Sequence, residues 1–165
     1  MGWMSWEVFR CQTNCSAAPT DLPKGLNPPT GCINAELYTQ MSDALAKDGY
    51  LAAGYKTVSI DDCWEDYDPG RDSAGRLKPN PERFPLGMKA LGDHMHSLGV
   101  KFGIYSDEGT RTCGGFQGSE GHEALDAKTF ASWGVSTPRS IYTKSNPQFP
   151  RNYGSKSCVH SPRSR

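Results

Sequence analysis

Apolar residues recur at helical spacing in three separate segments of the chain, and each segment is followed by a glycine. The first helix is predicted to begin after Asn34, whose side chain suits the capping position, and to end before Gly49. Glycine is typical of a helix end because it adopts the left-handed backbone without steric cost. The apolar positions and closing glycines are Leu37, Met41 and Leu45 with Gly49; Met88, Leu91, Met95 and Leu98 with Gly99; and Ala124, Ala127 and Ala131 with Gly134.

Short runs rich in β-branched and aromatic residues alternate with these helices. Residues 55–60 and 100–105 are predicted strands, and residues 2–9 are expected to form the end of a buried strand. Strands that alternate with helices are typical of a parallel α/β fold. A fourth strand would begin at Val135, but residues 136–165 show neither helical nor strand periodicity.

Composition separates this last segment from the rest of the chain. The 165 residues carry 18 acidic and 18 basic side chains, so the total charge indicates neither a nucleic acid nor a membrane as partner. All 18 acids lie in residues 1–135, whereas residues 136–165 hold six bases, seven serines and four prolines. Such a composition buries too little apolar surface to offset the entropy of ordering. We therefore predict one α/β domain over residues 1–135 and a disordered tail over residues 136–165.

Six cysteines are spread along the chain without any CxxC pair: Cys11, Cys15, Cys32, Cys63, Cys113 and Cys158. This spacing favours disulfides over a zinc site, and disulfides indicate an oxidising compartment. Met1 is followed by neither a basic start nor a long apolar stretch, so either a leader is missing from this chain or the cysteines stay reduced. The triplet Asn14-Cys15-Ser16 matches the N-glycosylation pattern, although a bridged Cys15 would weigh against its use. The acidic residues between 61 and 72 do not follow the EF-hand pattern, so neither a metal nor a cofactor is predicted.

Carboxylates and aromatic side chains lie where the predicted strands end. If the strands are parallel neighbours, their carboxyl ends meet at one rim, which is where α/β folds bind ligands. Carboxylates accept hydrogen bonds from hydroxyls and aromatic rings cover C–H faces, so this mixture favours a sugar over a phosphate. Each residue also has a structural explanation, since Trp6 and Tyr105 suit a core and an aspartate suits a helix or turn cap. The carboxylates and aromatic residues that we expect at this rim are Trp6, Glu7, Asp61, Asp62, Tyr105 and Asp107.

Five motifs occur in order and at suitable distances along residues 1–135. They are MGWMSWE at 1–7, IDDCW at 60–64, GIYSD at 103–107, TCGG at 112–115 and TFASWGV at 129–135. With these motifs the chain closely resembles the lysosomal α-galactosidase and α-N-acetylgalactosaminidase family of glycoside hydrolases. The resemblance covers residues 1–135 essentially without a gap.

The resemblance implies a (β/α)8 TIM barrel followed by a β-sandwich domain, in an enzyme that is usually a homodimer and is lysosomal or secreted. It also implies removal of terminal α-linked galactose or N-acetylgalactosamine from glycolipids, glycoproteins or oligosaccharides, with retention of configuration and without a cofactor. The choice between the two sugars depends, in this family, on a loop beyond residues 1–135.

Individual site residues carry over by position. Asp61 and Asp62 match the family's pair that holds the outer hydroxyls of the sugar, and Trp6 and Tyr105 match aromatic residues that contact its ring. Cys113 matches a half-cystine at the rim. The family's disulfide pairings carry over as Cys11–Cys63 and Cys15–Cys32.

The chain departs from the family pattern after Val135. The family there carries a Lys-x-Asp-Gly-Cys strand whose Asp is the nucleophile, and this chain has Ser136-Thr137-Pro138 instead. Residues 136–165 contain no Asp or Glu, and the family's acid/base segment is absent as well. We therefore expect the first three βα units of an incomplete barrel, without catalytic residues and without hydrolysis by this chain alone. The alternative is a non-catalytic form that binds sugar weakly or associates with a full-length partner.

Overall fold

The computed structural model of the chain describes residues 1–16 and 31–141, and for residues 137–141 it describes the backbone. Strands and helices alternate after the first turn, as the sequence predicts. In chain order the elements are β1 Gly2–Met4, α1 Trp6–Phe9, α2 Ala35–Lys47, β2 Thr57–Ile60, α3 Gly87–Ser97, β3 Lys101–Asp107, α4 Glu123–Ser132 and β4 Thr137–Ile141.

The strands form one parallel sheet in the order β1-β2-β3-β4. Thr57 of β2 pairs with both Gly2 of β1 and Lys101 of β3, so the three strands are in step. Each strand lies beside the strand that precedes it in the sequence. This order is the one found in a (β/α)8 barrel, whereas doubly wound sheets reverse their order partway across. The α/β class is confirmed, and the incompleteness of the barrel stays a prediction.

Local signals fix the ends of the helices. Asn34 caps α2 through its side-chain oxygen, which accepts the N–H of Leu37 at 2.9 Å, as predicted. The three predicted closing glycines all adopt positive φ angles, Gly49 at 83°, Gly99 at 75° and Gly134 at 78°. A residue with a β-carbon would pay a steric cost at these positions.

The two faces of the sheet differ in character. Phe102 of β3 faces α3, since a β-carbon added to Gly92 of that helix would lie 2.9 Å from the Phe102 ring. Side chains alternate along a strand, so Ile104 lies on the same face, and both residues are fully buried. Gly103 lies on the opposite face, where a side chain would collide with Ser59 of β2. The helix-covered face is therefore the apolar core, and on the other face Gly103 leaves room for Ser59.

The prediction of a strand across residues 2–9 is wrong in its second half. Ser5 already has helical angles, φ −71° and ψ −24°, and its carbonyl accepts the N–H of Phe9 at 2.9 Å. Residues Trp6–Phe9 therefore form the helical turn α1. One face of this turn is buried through Phe9, and Glu7 and Val8 are exposed.

The expectation that no strand follows Val135 is also wrong. The N–H of Ser136 donates to the carbonyl of Phe102 at 2.8 Å, and β4 then pairs with β3 from Gly103–Thr137 to Asp107–Ile141. The edge of β3 offers a row of backbone groups that β4 satisfies. Pro138 is compatible with this strand because β4 ends the sheet order of the described residues and needs to pair on one side only. Residues 142–165 lie outside the described part, so the boundary at 135/136 and the disorder of the rest of the tail stay predictions.

Two disulfides tie the loops near the carboxyl ends of the strands. The bonds Cys11–Cys63 and Cys15–Cys32 are both present, with Cα–Cα distances of 5.4 and 4.8 Å. The pairings that the resemblance implies are thus confirmed. Among the helices of the described residues, none combines the length and the apolar character needed to cross a bilayer.

Candidate functional site

Asp62 is the most enclosed carboxylate at the end of β2. Its Oδ1 accepts the N–H of Cys63 at 2.7 Å, and its Oδ2 accepts the N–H of Gly114 at 2.6 Å. Burial raises the pKa of Asp62 above its ordinary value; the hydrogen bonds, including one from Thr112, oppose this rise, and the negative charge of Asp107 adds to it. The carboxyl group is therefore held in one orientation by donors from two loops.

Gly114 brings the second of these loops close to the first disulfide. A β-carbon at this glycine would collide with the sulfur atoms of Cys63 and Cys11. Only a residue without a side chain lets the backbone N–H reach Asp62 at this distance. The Cys11–Cys63 bond thus forms the wall against which the loop after β3 packs.

Asp61 is half-buried and is positioned by backbone groups and a serine. Its Oδ1 accepts the N–H of Asp62 at 2.8 Å, and its own N–H donates to Ser5 Oγ at 3.2 Å. Ser5 Oγ also accepts the hydroxyl of Tyr38 at 3.0 Å. Both Ser5 and Tyr38 are fully buried. A residue after β1 and one from α2 therefore set the backbone position of Asp61.

Tyr105 and Asp107 complete the rim from β3. The Tyr105 hydroxyl lies 3.5 Å from Asp107 Oδ2, and Asp107 Oδ1 accepts the N–H of Gly109 at 2.7 Å. Burial, together with the negative charges of Asp62 and Asp107, raises the pKa of Tyr105 above its usual range. The phenol therefore stays protonated at neutral pH and is available as a hydrogen-bond donor.

The remaining predicted residues are Trp6, Glu7 and Cys113. Trp6 is half-buried in α1, and Glu7 beside it is exposed. Cys113 is exposed, and its backbone forms a hydrogen bond with Tyr105. It does not carry a free thiol, and Cys158 lies outside the described residues. The structure thus brings Asp62, Tyr105, Asp107 and Cys113 together, and the contact of Trp6 with a ligand stays a prediction.

Several residues that shape the rim were not predicted from the sequence. Ser5, Tyr38 and Gly114 act through contacts between residues 33 to 56 positions apart, which no local pattern indicates. Glu65 was also not predicted: it is fully buried, and neither carboxyl oxygen has a hydrogen-bond partner among the other residues that the structure describes. Burial raises the pKa of Glu65 well above its ordinary value, and the charge of Asp62 raises it further.

A cavity of about 520 Å³ lies beside the rim. It is lined by residues of the loops after α1, β2 and β3, including Asn14, Glu65, Tyr67, Arg83 and Phe116. None of Asp61, Asp62 and Tyr105 lines it. The predicted site is thus a set of converging polar groups at the sheet end, and this cavity is a separate feature of the described residues.

The chemistry of the rim suits a ligand rich in hydroxyl groups. Asp61, Asp62 and Asp107 offer carboxyl oxygens, and Tyr105 offers a hydroxyl donor, all at the carboxyl ends of β2 and β3. Such groups exchange hydrogen bonds with several hydroxyls at once.

The chain is similar in sequence to known proteins over most of its length. The sequence model of the family described as alpha galactosidase A matches residues 1–154. Alpha-galactosidase A of Homo sapiens is 44% identical over 135 residues, which are 82% of this chain and 29% of the relative. Alpha-N-acetylgalactosaminidase of Gallus gallus is 46% identical over 136 residues, which are 82% of this chain and 31% of the relative. The chain therefore spans about 30% of the length of these curated relatives.

The chain is also similar in three dimensions to solved structures of α-galactosidases. Alpha-galactosidase I from Mortierella vinacea superposes with a TM-score of 0.68 at 37% identity, covering 84% of this chain and 29% of that chain. The α-galactosidase from Saccharomyces cerevisiae with raffinose gives a TM-score of 0.68 at 33% identity, covering 87% of this chain and 27% of that chain.

Proposed function

Because this chain belongs to the alpha galactosidase A family of glycoside hydrolases, we propose that the rim formed by β1, β2 and β3 is the sugar-holding part of an α-galactosidase-type site. Two features of the rim support the proposal. The carboxyl groups of Asp61 and Asp62 are fixed by backbone donors, and Tyr105 keeps its proton beside them. Preorganised groups of this kind lose little entropy when a ligand binds.

Each residue has a stated role in this proposal. Asp61 and Asp62 accept hydrogen bonds from the outer hydroxyls of a terminal α-linked galactose or N-acetylgalactosamine. Trp6 and Tyr105 contact the sugar ring, and Cys113 closes the rim beside Tyr105. The raised pKa of Asp62 fits a hydroxyl ligand, because a buried carboxylate without a cation gains from each added hydrogen-bond donor.

Cleavage requires two further carboxyl groups in a retaining glycosidase, one as nucleophile and one as acid/base. Residues 136–165, where the family pattern has its nucleophile, contain no Asp or Glu. We therefore propose that this chain by itself holds the sugar without hydrolysing the glycosidic bond. The wider family properties, namely glycolipid, glycoprotein or oligosaccharide substrates, a homodimer and a lysosomal or secreted location, are proposals for this chain.

Galactose titration of the ¹⁵N-labelled full chain, followed by NMR, tests the binding role. The amide signals of Cys63 and Gly114 report on Asp62, since both N–H groups donate to its carboxyl oxygens. We expect galactose to shift these two signals in a saturable manner. The variant Asp62→Asn removes the carboxylate and is expected to lose the effect, whereas Asp66→Asn, in the same loop but paired with Lys78, is the matched control.

Two outcomes would contradict the proposal. Unchanged amide signals at high millimolar galactose would show that the rim does not hold the sugar. Hydrolysis of a nitrophenyl α-galactoside by the purified chain would show that the catalytic groups are supplied from within these 165 residues.

A further inference from the structure

We propose that Asn14 is an acceptor site for an N-linked glycan, and that closure of the Cys15–Cys32 disulfide limits the fraction of molecules that receive the glycan. Asn14-Cys15-Ser16 is the single Asn-x-Ser/Thr triplet in the sequence without proline at its centre. The presence of a bridged cysteine within the triplet weighs against its use at the level of sequence. In the structure, however, the triplet stays accessible with the bridge closed.

The bridge leaves the triplet at the surface. Asn14, Cys15 and Ser16 are all exposed, although Cys15 is bonded to Cys32. Cys32 itself is fully buried, so the bond anchors the loop without covering the acceptor asparagine. A glycan on Asn14 therefore has room in the folded protein, and the fold does not need to open to carry it.

The local hydrogen bonds leave the reactive nitrogen available. Asn14 Oδ1 accepts the N–H of Ser16 at 3.0 Å, and the Asn14 N–H donates to Gln12 Oε1 at 3.1 Å. Within the part of the chain that the structure describes, Asn14 Nδ2 donates no hydrogen bond. The turn thus brings the backbone of the third residue of the triplet back to the asparagine Oδ1, and these two bonds do not use the side-chain nitrogen.

The transfer itself is a displacement at a sugar carbon. The co-reactant is a lipid-pyrophosphate-linked oligosaccharide of the endoplasmic reticulum. Asn14 Nδ2 forms a bond to the anomeric carbon, the bond from this carbon to the pyrophosphate oxygen breaks, and the lipid pyrophosphate leaves. The amide proton passes to a base of the transferase. The Cys11–Cys63 and Cys15–Cys32 disulfides are bonds that form in an oxidising compartment of this kind, so acceptor and co-reactant meet there.

Bridge closure and glycan transfer compete in time. Cys15 and Cys32 are separated by 17 residues, so the bond cannot close until Cys32 has followed Asn14 into the lumen. At a synthesis rate of about 5–20 residues per second, this delay is on the order of 1–3 s. Before closure the triplet is an extended, adaptable acceptor, and after closure its backbone is fixed. We therefore expect partial occupancy in the unaltered chain.

The test is translation of the full chain, with a secretory leader placed before Met1, in a cell-free extract with endoplasmic reticulum microsomes. We expect one slower-migrating band that peptide N-glycosidase converts to the faster one. Asn14→Gln and Ser16→Ala are expected to lose this band, and Ser16→Thr is expected to retain it. Asn152→Gln, which lies outside any such triplet, is the matched control and should behave as the unaltered chain.

A second variant distinguishes the effect of bridge closure from the ability of Asn14 to accept the glycan. Cys32→Ser cannot close the bridge, so we expect the modified fraction to rise at least twofold over the unaltered chain. Absence of the slower band from the unaltered chain, when protease protection shows that it has been imported, would overturn the proposal. An equal modified fraction with and without Cys32 would overturn the competition between bridge and glycan.

Discussion

Replacement of Glu65 is expected to stabilise the protein and to remove part of its pH dependence. Glu65 is fully buried, and in the described part of the chain no other residue forms a hydrogen bond with its carboxyl oxygens. Arg83 lies nearby, but its Nη2 donates to the backbone carbonyl of Glu65 at 3.1 Å and not to the carboxyl group. A buried polar group without a partner costs about 1–3 kcal/mol. Glu65→Met keeps a similar volume and removes the polar atoms, so we expect a gain of about 1–3 kcal/mol in the free energy of unfolding.

The sign of the pH effect follows from the raised pKa of Glu65. Burial keeps the carboxyl group protonated in the folded state, whereas in the unfolded state it ionises as the pH rises through its ordinary value of 4.5. Above that pH the unfolded chain binds fewer protons than the folded one, so stability falls as the pH rises. The loss amounts to at most about 1.4 kcal/mol per pH unit for one group. Below the ordinary pKa, both states are protonated and the loss disappears.

Urea denaturation of the full chain between pH 4.5 and 7 measures this effect, with the tested range starting at the ordinary pKa of the group. Glu65→Gln keeps the polarity but cannot ionise, so its stability should fall less steeply with pH than that of the unaltered chain. Asp66→Asn is a control whose pH effect has the opposite sign. The hydrogen bond from Lys78 lowers the pKa of Asp66, so the stability that this pair contributes to the fold is lost as the pH falls. Parallel stability curves for the unaltered chain and Glu65→Gln, or a less stable Glu65→Met, would show that the buried Glu65 carboxyl group does not destabilise the fold.

Three further predictions concern single contacts between elements of the fold. Arg71→Met leaves Asp126 buried without its bidentate partner at 2.8 and 2.9 Å, and we expect denaturation to show a loss of about 3–5 kcal/mol. Gly103→Ala forces a methyl group against Ser59, so we expect a loss of about 1–3 kcal/mol that Ser59→Ala partly restores; an unrestored loss would argue against this contact. Tyr38→Phe removes the donor to Ser5 Oγ, and we expect a cost of about 0.5–1.5 kcal/mol together with a shift of the Asp61 amide signal in the NMR spectrum, which a purely apolar role of Tyr38 would leave in place.

Features that depend on neighbours in the chain follow from the amino-acid sequence. Helix starts and ends follow from a capping side chain and from glycines that tolerate positive φ, so Asn34, Gly49 and Gly99 mark them correctly. The meeting of Asp62, Tyr105 and Asp107 was also predictable, because parallel adjacent strands bring their carboxyl ends to one rim. The motifs around these residues indicate the family as well, since they combine local structure with the chemistry of the site.

Features that depend on residues far apart in the sequence could be seen only in the tertiary structure. β4 forms because the edge of β3 supplies backbone partners to a segment that has little strand pattern of its own. Asp61 is positioned by Ser5, 56 residues away, and Asp62 by Gly114, 52 residues away. The burial of Glu65 has the same origin, because an acidic residue in a polar loop is expected at the surface until packing encloses it. Local propensities are additive along the chain, whereas pairing and burial depend on which surfaces the fold brings together.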